Sequence, residues 1–267
     1  MLEIEWLLSF LLLGTFVGFM AGLLGIGGGG IMVPVLTSIF LQQGVPVENV
    51  IHLALGTSMA SIIVTSISSL RAHNAKGGVI WMVVKRMSAG IVLGALLATF
   101  LATSLSTVYL AIFFALFMAY VSTQMFLNRK PKPSRELVGN AGLFAAGSGI
   151  GAISALVSIG GGTLTVPYLT WQNIDIKKAI GTSAAIGLPL SIAGTLGYLI
   201  NGWTNSSPQG LTLGYVYLPA VLLISTTSFF TAPYGAKLAH KLPVPILKKT
   251  FSILLIILSI KMLISVI

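Results

Sequence analysis

The chain has 267 residues, of which 55% are hydrophobic and 7% charged, and its mean hydropathy is +0.99. A soluble domain carries about a quarter charged residues, so this composition excludes a water-soluble enzyme and points to a polytopic helical membrane protein. The absence of cysteine excludes disulfides, thiol redox relays, Fe–S clusters and thiolate metal sites. The 15 Lys+Arg against 5 Asp+Glu leave a net charge of +10, and no carboxylate falls obviously inside a span, where cation-handling proteins bury theirs.

Along the chain, "MLEIEWLLSF" lacks a basic n-region and a small-residue cleavage site, so it reads as the start of a first membrane helix. Apolar segments follow at roughly 5–25, 30–42, 50–70, 82–103 and 106–127. The polar linker "NRKPKPSRE" (128–136) comes next, and then segments at roughly 138–158, 163–173, 179–200, 212–236 and 244–266. The short alternating segments of a membrane β-barrel are not seen. The expected class is therefore all-α and polytopic, with 8–10 membrane segments of which two are short or broken.

The two halves are related. "GFMAGLLGIGGGGIMVPVL" (18–36) aligns with "GAISALVSIGGGTLTVPYL" (151–169) at a constant offset of 133, with nine of 19 positions identical. "ALGTS" (54–58) matches "AIGTS" (179–183) at an offset of 125. Residues 1–127 form a first membrane repeat, 128–137 a basic linker and 138–267 a second repeat.

Loop charges orient the repeats. Arg129, Lys130, Lys132 and Arg135 place the linker in the cytoplasm, and Arg71, Lys76, Lys85 and Arg86 do the same for the connection two spans earlier. The counterpart of that connection, "NGWTNSSPQG" (201–210), has no charge. Base-free 42–49 and 103–108 correspond to stretches carrying Lys177 and Lys178, and Lys237, Lys241, Lys248 and Lys249. Each basic loop in one half faces a base-free loop in the other, which predicts inverted-topology repeats with both termini outside.

The glycine tracts are the first candidate site. Gly27, Gly28, Gly29 and Gly30 precede a short apolar segment, as do Gly160, Gly161, Gly162 and Thr163. Glycine lets successive N–H groups converge into a nest, and a following half-helix adds its free N–H groups and dipole, an arrangement suited to an anion. Pro34 and Pro167 are expected within the first turn or so, and Thr163 as a cap or hydroxyl donor. The competing reading is close helix packing, since "GFMAG" (18–22) has the GxxxG form.

Thr57 and Ser58, with Thr182 and Ser183, supply paired hydroxyls within the third helix of each half, for an oxyanion or for interhelical hydrogen bonds. His52 and His73 are candidate proton-coupling groups, or residues at helix ends. No metal-ligand spacing and no nucleophile–base set is visible, so neither catalytic residues, metal nor cofactor is expected, and the chain is not read as an enzyme.

The segments "GIGGGGIMVP" (25–34) and "SIGGGTLTVP" (158–167), with the two GTS elements and "HNAKG" (73–77), resemble the TauE/SafE-like sulfite exporter family over nearly the whole chain. The resemblance implies a permease of the bacterial or archaeal cytoplasmic membrane for sulfur-containing anions such as sulfite, sulfonates or sulfoacetate. The expected function is a secondary transporter acting as an exporter by alternating access. An anion channel, or a membrane-embedded enzyme or scaffold, is the alternative. The expected partners are a small anionic substrate and the lipid bilayer, with no nucleic acid; a homodimer is left open.

Overall fold

A computed structural model describes residues 4–24, 28–127, 136–203, 211–238 and 244–267. Those residues form ten α-helices and one two-stranded hairpin. The first five helices are α1 (Ile4–Leu24), α2 (Gly29–Gln42), α3 (Val47–Asn74), α4 (Trp81–Ser104) and α5 (Thr107–Phe126). The other five are α6 (Asn140–Leu156), α7 (Gly162–Trp171), α8 (Ile176–Asn201), α9 (Leu218–Leu238) and α10 (Val244–Val266). Each covers one of the ten expected apolar segments. Gly27, most of the basic linker and residues 204–210 lie outside the described residues.

Six of these helices are long and apolar enough to cross a membrane. Their outer faces carry large apolar side chains, among them Leu97, Phe100, Leu116, Tyr120 and Ile257, which suit contact with lipid tails. The chain is an all-α polytopic membrane protein. At 1.5 Å per residue α2 is about 21 Å long and α7 about 15 Å, both short of a hydrocarbon core of about 30 Å.

α3 and α8 pack against each other at the centre and are the most buried of the long helices. Around them α1 packs on α9 and α6 on α4, while α9 also touches α3 and α4 touches α8. α2 lies on α3, α7 on α8, and α5 on α10. Exchanging each helix of the first five with its counterpart in the second five reproduces all of these pairings.

Glycines make the outer pairs close. A Cβ on Gly14 or Gly18 would collide with the α9 backbone at Ile224 or Ser228. A Cβ on Gly147 or Gly151, each 133 residues later, would collide with the α4 backbone at Met87 or Ile91. The packing pair is thus Gly14-x3-Gly18, one turn before the "GFMAG" match, because those are the glycines that face α9.

Two local expectations are corrected. The segment expected from 212 becomes helical only at Leu218, because Thr212–Leu213 pairs antiparallel with Val216–Tyr217 around Gly214, whose φ of 54° lies in the left-handed region. Pro34 and Pro167 sit in the second turn of α2 and α7, since those helices begin at the glycines themselves. There the missing proline N–H leaves the carbonyls of Gly30 and Thr163 without an i+4 donor.

The bundle has two chemically distinct ends. Lys249 lies over the Phe126 ring, and the Gly78 backbone lies against Lys177, so the starts of α8 and α10 and the ends of α3 and α5 share one basic end. At the other end Thr107 donates to the Glu48 carbonyl at 2.6 Å, and the His52 ring packs on Tyr215. Asp175, the N-cap of α8, accepts from the backbone N–H of Lys177 at 2.9 Å, which accounts locally for one of the few acids.

Candidate functional site

The two GTS elements occupy equivalent places. Thr57 Oγ1 accepts from the Tyr217 N–H at 3.0 Å, and Thr182 Oγ1 accepts from the Ile80 N–H at 3.0 Å. Each donor belongs to the residue just before α9 or α4, in the opposite half. The preceding glycines serve the same crossing: a Cβ on Gly56 would meet the Tyr215 carbonyl, and one on Gly181 the Gly78 carbonyl. Gly56–Thr57 and Gly181–Thr182 therefore clip a connection of the other half to a central helix. Thr57→Val and Thr182→Val are each expected to lower stability by about 1–3 kcal/mol, since each leaves a backbone N–H without its acceptor. Thermal melting of the purified variants measures it.

The serines of the motif differ. Ser183 donates to the Ile180 carbonyl at 2.8 Å, whereas Ser58 Oγ is buried with no hydrogen-bond partner. Bonding to a connection of the other half thus accounts for the threonines, while Ser58 has no partner.

The glycine tracts come together at the centre. Gly28 caps α2 with φ 77°, and its carbonyl accepts from Ile31 and Met32, both at 3.1 Å. Gly29 packs so tightly on the Ser158 carbonyl that no Cβ fits between them. Ser158 holds φ 49° without being glycine, and its hydroxyl donates to the Leu55 carbonyl on α3 at 3.1 Å. Gly30 faces Met118 and Leu255. The first tract is therefore a packing junction against the second.

The second tract is more open. Gly161 caps α7 with no side-chain hydrogen bond, so Thr163 is not the cap. A Cβ on Gly161 would find ordinary contacts at 3.4–3.7 Å with Thr165, Ile186 and Ser183. Thr163 Oγ1 and Thr165 Oγ1 are buried without partners, and Thr165 is 0% exposed. At the start of α7 the Gly162 N–H donates to the Gly160 carbonyl and the Thr165 N–H to the Gly161 carbonyl at 2.8 Å, so of the first four N–H groups those of Thr163 and Leu164 are left as donors.

A small, partly open cavity, with about 20 Å³ of room for water-sized spheres, adjoins this tract. Its polar lining comes from Thr65, Ser66 and Ser69 of α3 and Ser183 of α8, beside Gly160 and Gly162. Three expected site residues, Gly160, Gly162 and Ser183, thus line one space. Gly28, Gly29, Gly30, Thr57, Ser58, Gly161, Thr163 and Thr182 do not line it. Thr65, Ser66 and Ser69 were missed. The signal was the hydroxyl run "SIIVTSISS" (61–69), unusually dense for a segment this apolar.

The histidines do not join this group. His52 is buried, with Nε2 3.1 Å from the Ala102 carbonyl, and Nδ1 has no partner. His73 lies in the last turn of the same helix, about 30 Å away along its axis. Among the described residues no cluster of His, Asp or Glu could hold a metal ion.

The family model described as "Sulfite exporter TauE/SafE" matches residues 10–262. A probable membrane transporter protein of Haemophilus influenzae is 38% identical over 258 residues, covering 96% of this chain and 98% of that one. Relatives with the same description from Methanocaldococcus jannaschii and Bacillus subtilis are 27% and 26% identical, and the matches cover 90% and 86% of this chain and 90% and 89% of theirs. No solved structure matches. With that model matched over residues 10–262 and a relative 38% identical over nearly the whole chain, the chain belongs to the sulfite exporter TauE/SafE family of membrane transporters.

Proposed function

We propose that this transporter exports a small sulfur-containing anion, such as sulfite or a sulfonate, by alternating access between two inverted repeats. The observation that carries the reading is the cavity beside the second tract, which combines hydroxyls, glycine backbone and the start of α7 without any charged side chain. Such a site holds an anion by hydrogen bonds and dipole, so release stays fast. Residues 1–127 and 138–267 are the repeats, and their exchange-symmetric packing supports that division.

The basic end is the cytoplasmic one, by the excess of Lys and Arg there. α1 starts and α10 finishes at the opposite end, in line with both termini lying outside. An inside-negative potential drives anions outward by about 2.3 kcal/mol per charge per 100 mV, so export needs no intramembrane carboxylate. Gly27–Gly30, the second tract and the GTS serines surround the path, and His52 and His73 are the groups to test for proton coupling.

The experiment is ligand-dependent thermal stabilisation of the purified protein against sulfite, thiosulfate, sulfate, taurine, sulfoacetate and chloride. A ligand present at 100 times its Kd stabilises by about 2.7 kcal/mol, a clear shift in melting temperature. Stabilisation by sulfur anions, and their counterflow in proteoliposomes, is expected. Single-channel currents would sink the carrier mechanism.

A further inference from the structure

We infer that Ser58 and Ser154 line the side of the transport path that faces away from the basic end, and that the Tyr198 side chain shuts that side in this structure. The inference rests on the transporter reading above and gives it a gate. Both serines are 0% exposed, and neither hydroxyl has a hydrogen-bond partner. A serine within a helix can satisfy its hydroxyl on a carbonyl one turn back, as Ser183 does on Ile180. A buried hydroxyl left unpaired costs stability, so each such group calls for a use.

The repeat supplies one. The counterpart of Ser58, 125 residues on, is Ser183, and the counterpart of Ser154, 133 residues back, is Ala21. Ser183 and Ala21 both line the small cavity beside the second tract. Inverted repeats that alternate exchange their conformations. The residues that line one side in this state therefore mark, through their counterparts, the lining of the other side in the other state.

Tyr198 lies between the stretches of chain that carry the two serines. Its hydroxyl donates to the Ala155 carbonyl, next to Ser154, at 3.1 Å. A Cβ on Gly56, two residues before Ser58, would stand 3.0 Å from the Tyr198 Cβ. The Tyr198 side chain is 0% exposed, whereas His73, its counterpart 125 residues back, is half-buried. The fold treats the two positions alike, since the Tyr198 carbonyl accepts from the Tyr215 N–H at 3.2 Å and the His73 carbonyl from the Gly78 N–H at 3.0 Å. Tyr215 and Tyr217 are buried, one on the His52 ring and the other edge-on to Phe40. Gly78 and Ile80, in the same places at the basic end, are half-buried. Aromatic rings thus close one end, and Tyr198 is the ring that touches the backbone beside both serines.

Ser58→Cys and Ser154→Cys are made in the full-length chain with Tyr198, with Tyr198→Phe and with Tyr198→Ala. Each is treated, in proteoliposomes of known orientation, with a charged, membrane-impermeant thiol reagent applied to the end opposite the basic one. Tyr198→Phe removes only the bond to Ala155, and Tyr198→Ala removes the ring as well. Labelling is expected to quicken in that order, with Tyr198→Ala at least about tenfold faster than Tyr198, as when opening becomes easier by about 1.4 kcal/mol. Ser122→Cys, on α5, replaces a hydroxyl that is also 0% exposed and unpartnered, and it is expected to stay unlabelled in all three backgrounds. Labelling of Ser58→Cys that matches Ser122→Cys, or that gains nothing from either Tyr198 variant, overturns the inference, while sulfite flux through the cysteine-free parent upholds the transporter reading. Absence of parental flux with every sulfur anion overturns the transporter reading, and the inference with it.

Discussion

A Gly29→Ala protein is expected to reach the membrane but to lose transport and melt at a lower temperature. The added methyl would sit inside the Ser158 carbonyl, a backbone atom that cannot rotate away. Overpacking of this kind costs about 1–3 kcal/mol, and here it also forces apart the two tracts. Gly161→Ala is the matched control, because its Cβ finds only ordinary contacts at 3.4–3.7 Å. Gly28→Ala should fall between them, because φ 77° disfavours a side chain there and its Cβ would meet only the Val17 side chain. Thermal melting and proteoliposome flux measure the order. Equal effects of Gly29→Ala and Gly161→Ala would show that the junction is not the tight point.

The second large effect is a difference in reactivity between equivalent positions. Ser66 lines the cavity, and its counterpart 125 residues later is Ser191, which is 0% exposed. The same offset puts Met59 opposite Ala184, Ile62 opposite Gly187 and Leu190 opposite Thr65. Met59, Ile62 and Leu190 are each 0% exposed, and Met59 rests on Gly194. Where residues of both halves leave a polar cavity, the positions equivalent by the repeat carry the buried apolar side chains Met59 and Ile62 of α3 and Leu190 of α8.

The protein has no cysteine, so each introduced thiol reports alone. Ser66→Cys and Ser69→Cys are expected to react rapidly with a membrane-impermeant, sulfonate-bearing thiol reagent applied to the basic end. Ser191→Cys is expected to stay unmodified. Equal modification of Ser66→Cys and Ser191→Cys would contradict the one-sided cavity.

Much of the architecture is legible in the residues because membrane helices announce themselves locally. Runs of about 20 apolar residues, short segments after glycines, and lysines gathered in particular connections are all properties of neighbouring residues. The GTS elements were legible only as hydroxyl pairs. Thr57 and Thr182 bond to N–H groups 160 and 102 residues away, and no local pattern reveals such partners.

The amino-acid sequence by itself determined a helical membrane protein with two short segments, a duplicated glycine tract and few acids, which fall near the terminus or in connections. Hydropathy, repetition and charge act over short distances, so they survive in the linear order of residues. Only the tertiary structure decided that the two tracts differ, one closed on Ser158 and the other open beside Thr65, Ser66 and Ser183. That difference arises where α1, α3, α7 and α8 converge, through volumes and hydrogen bonds between residues far apart in the chain.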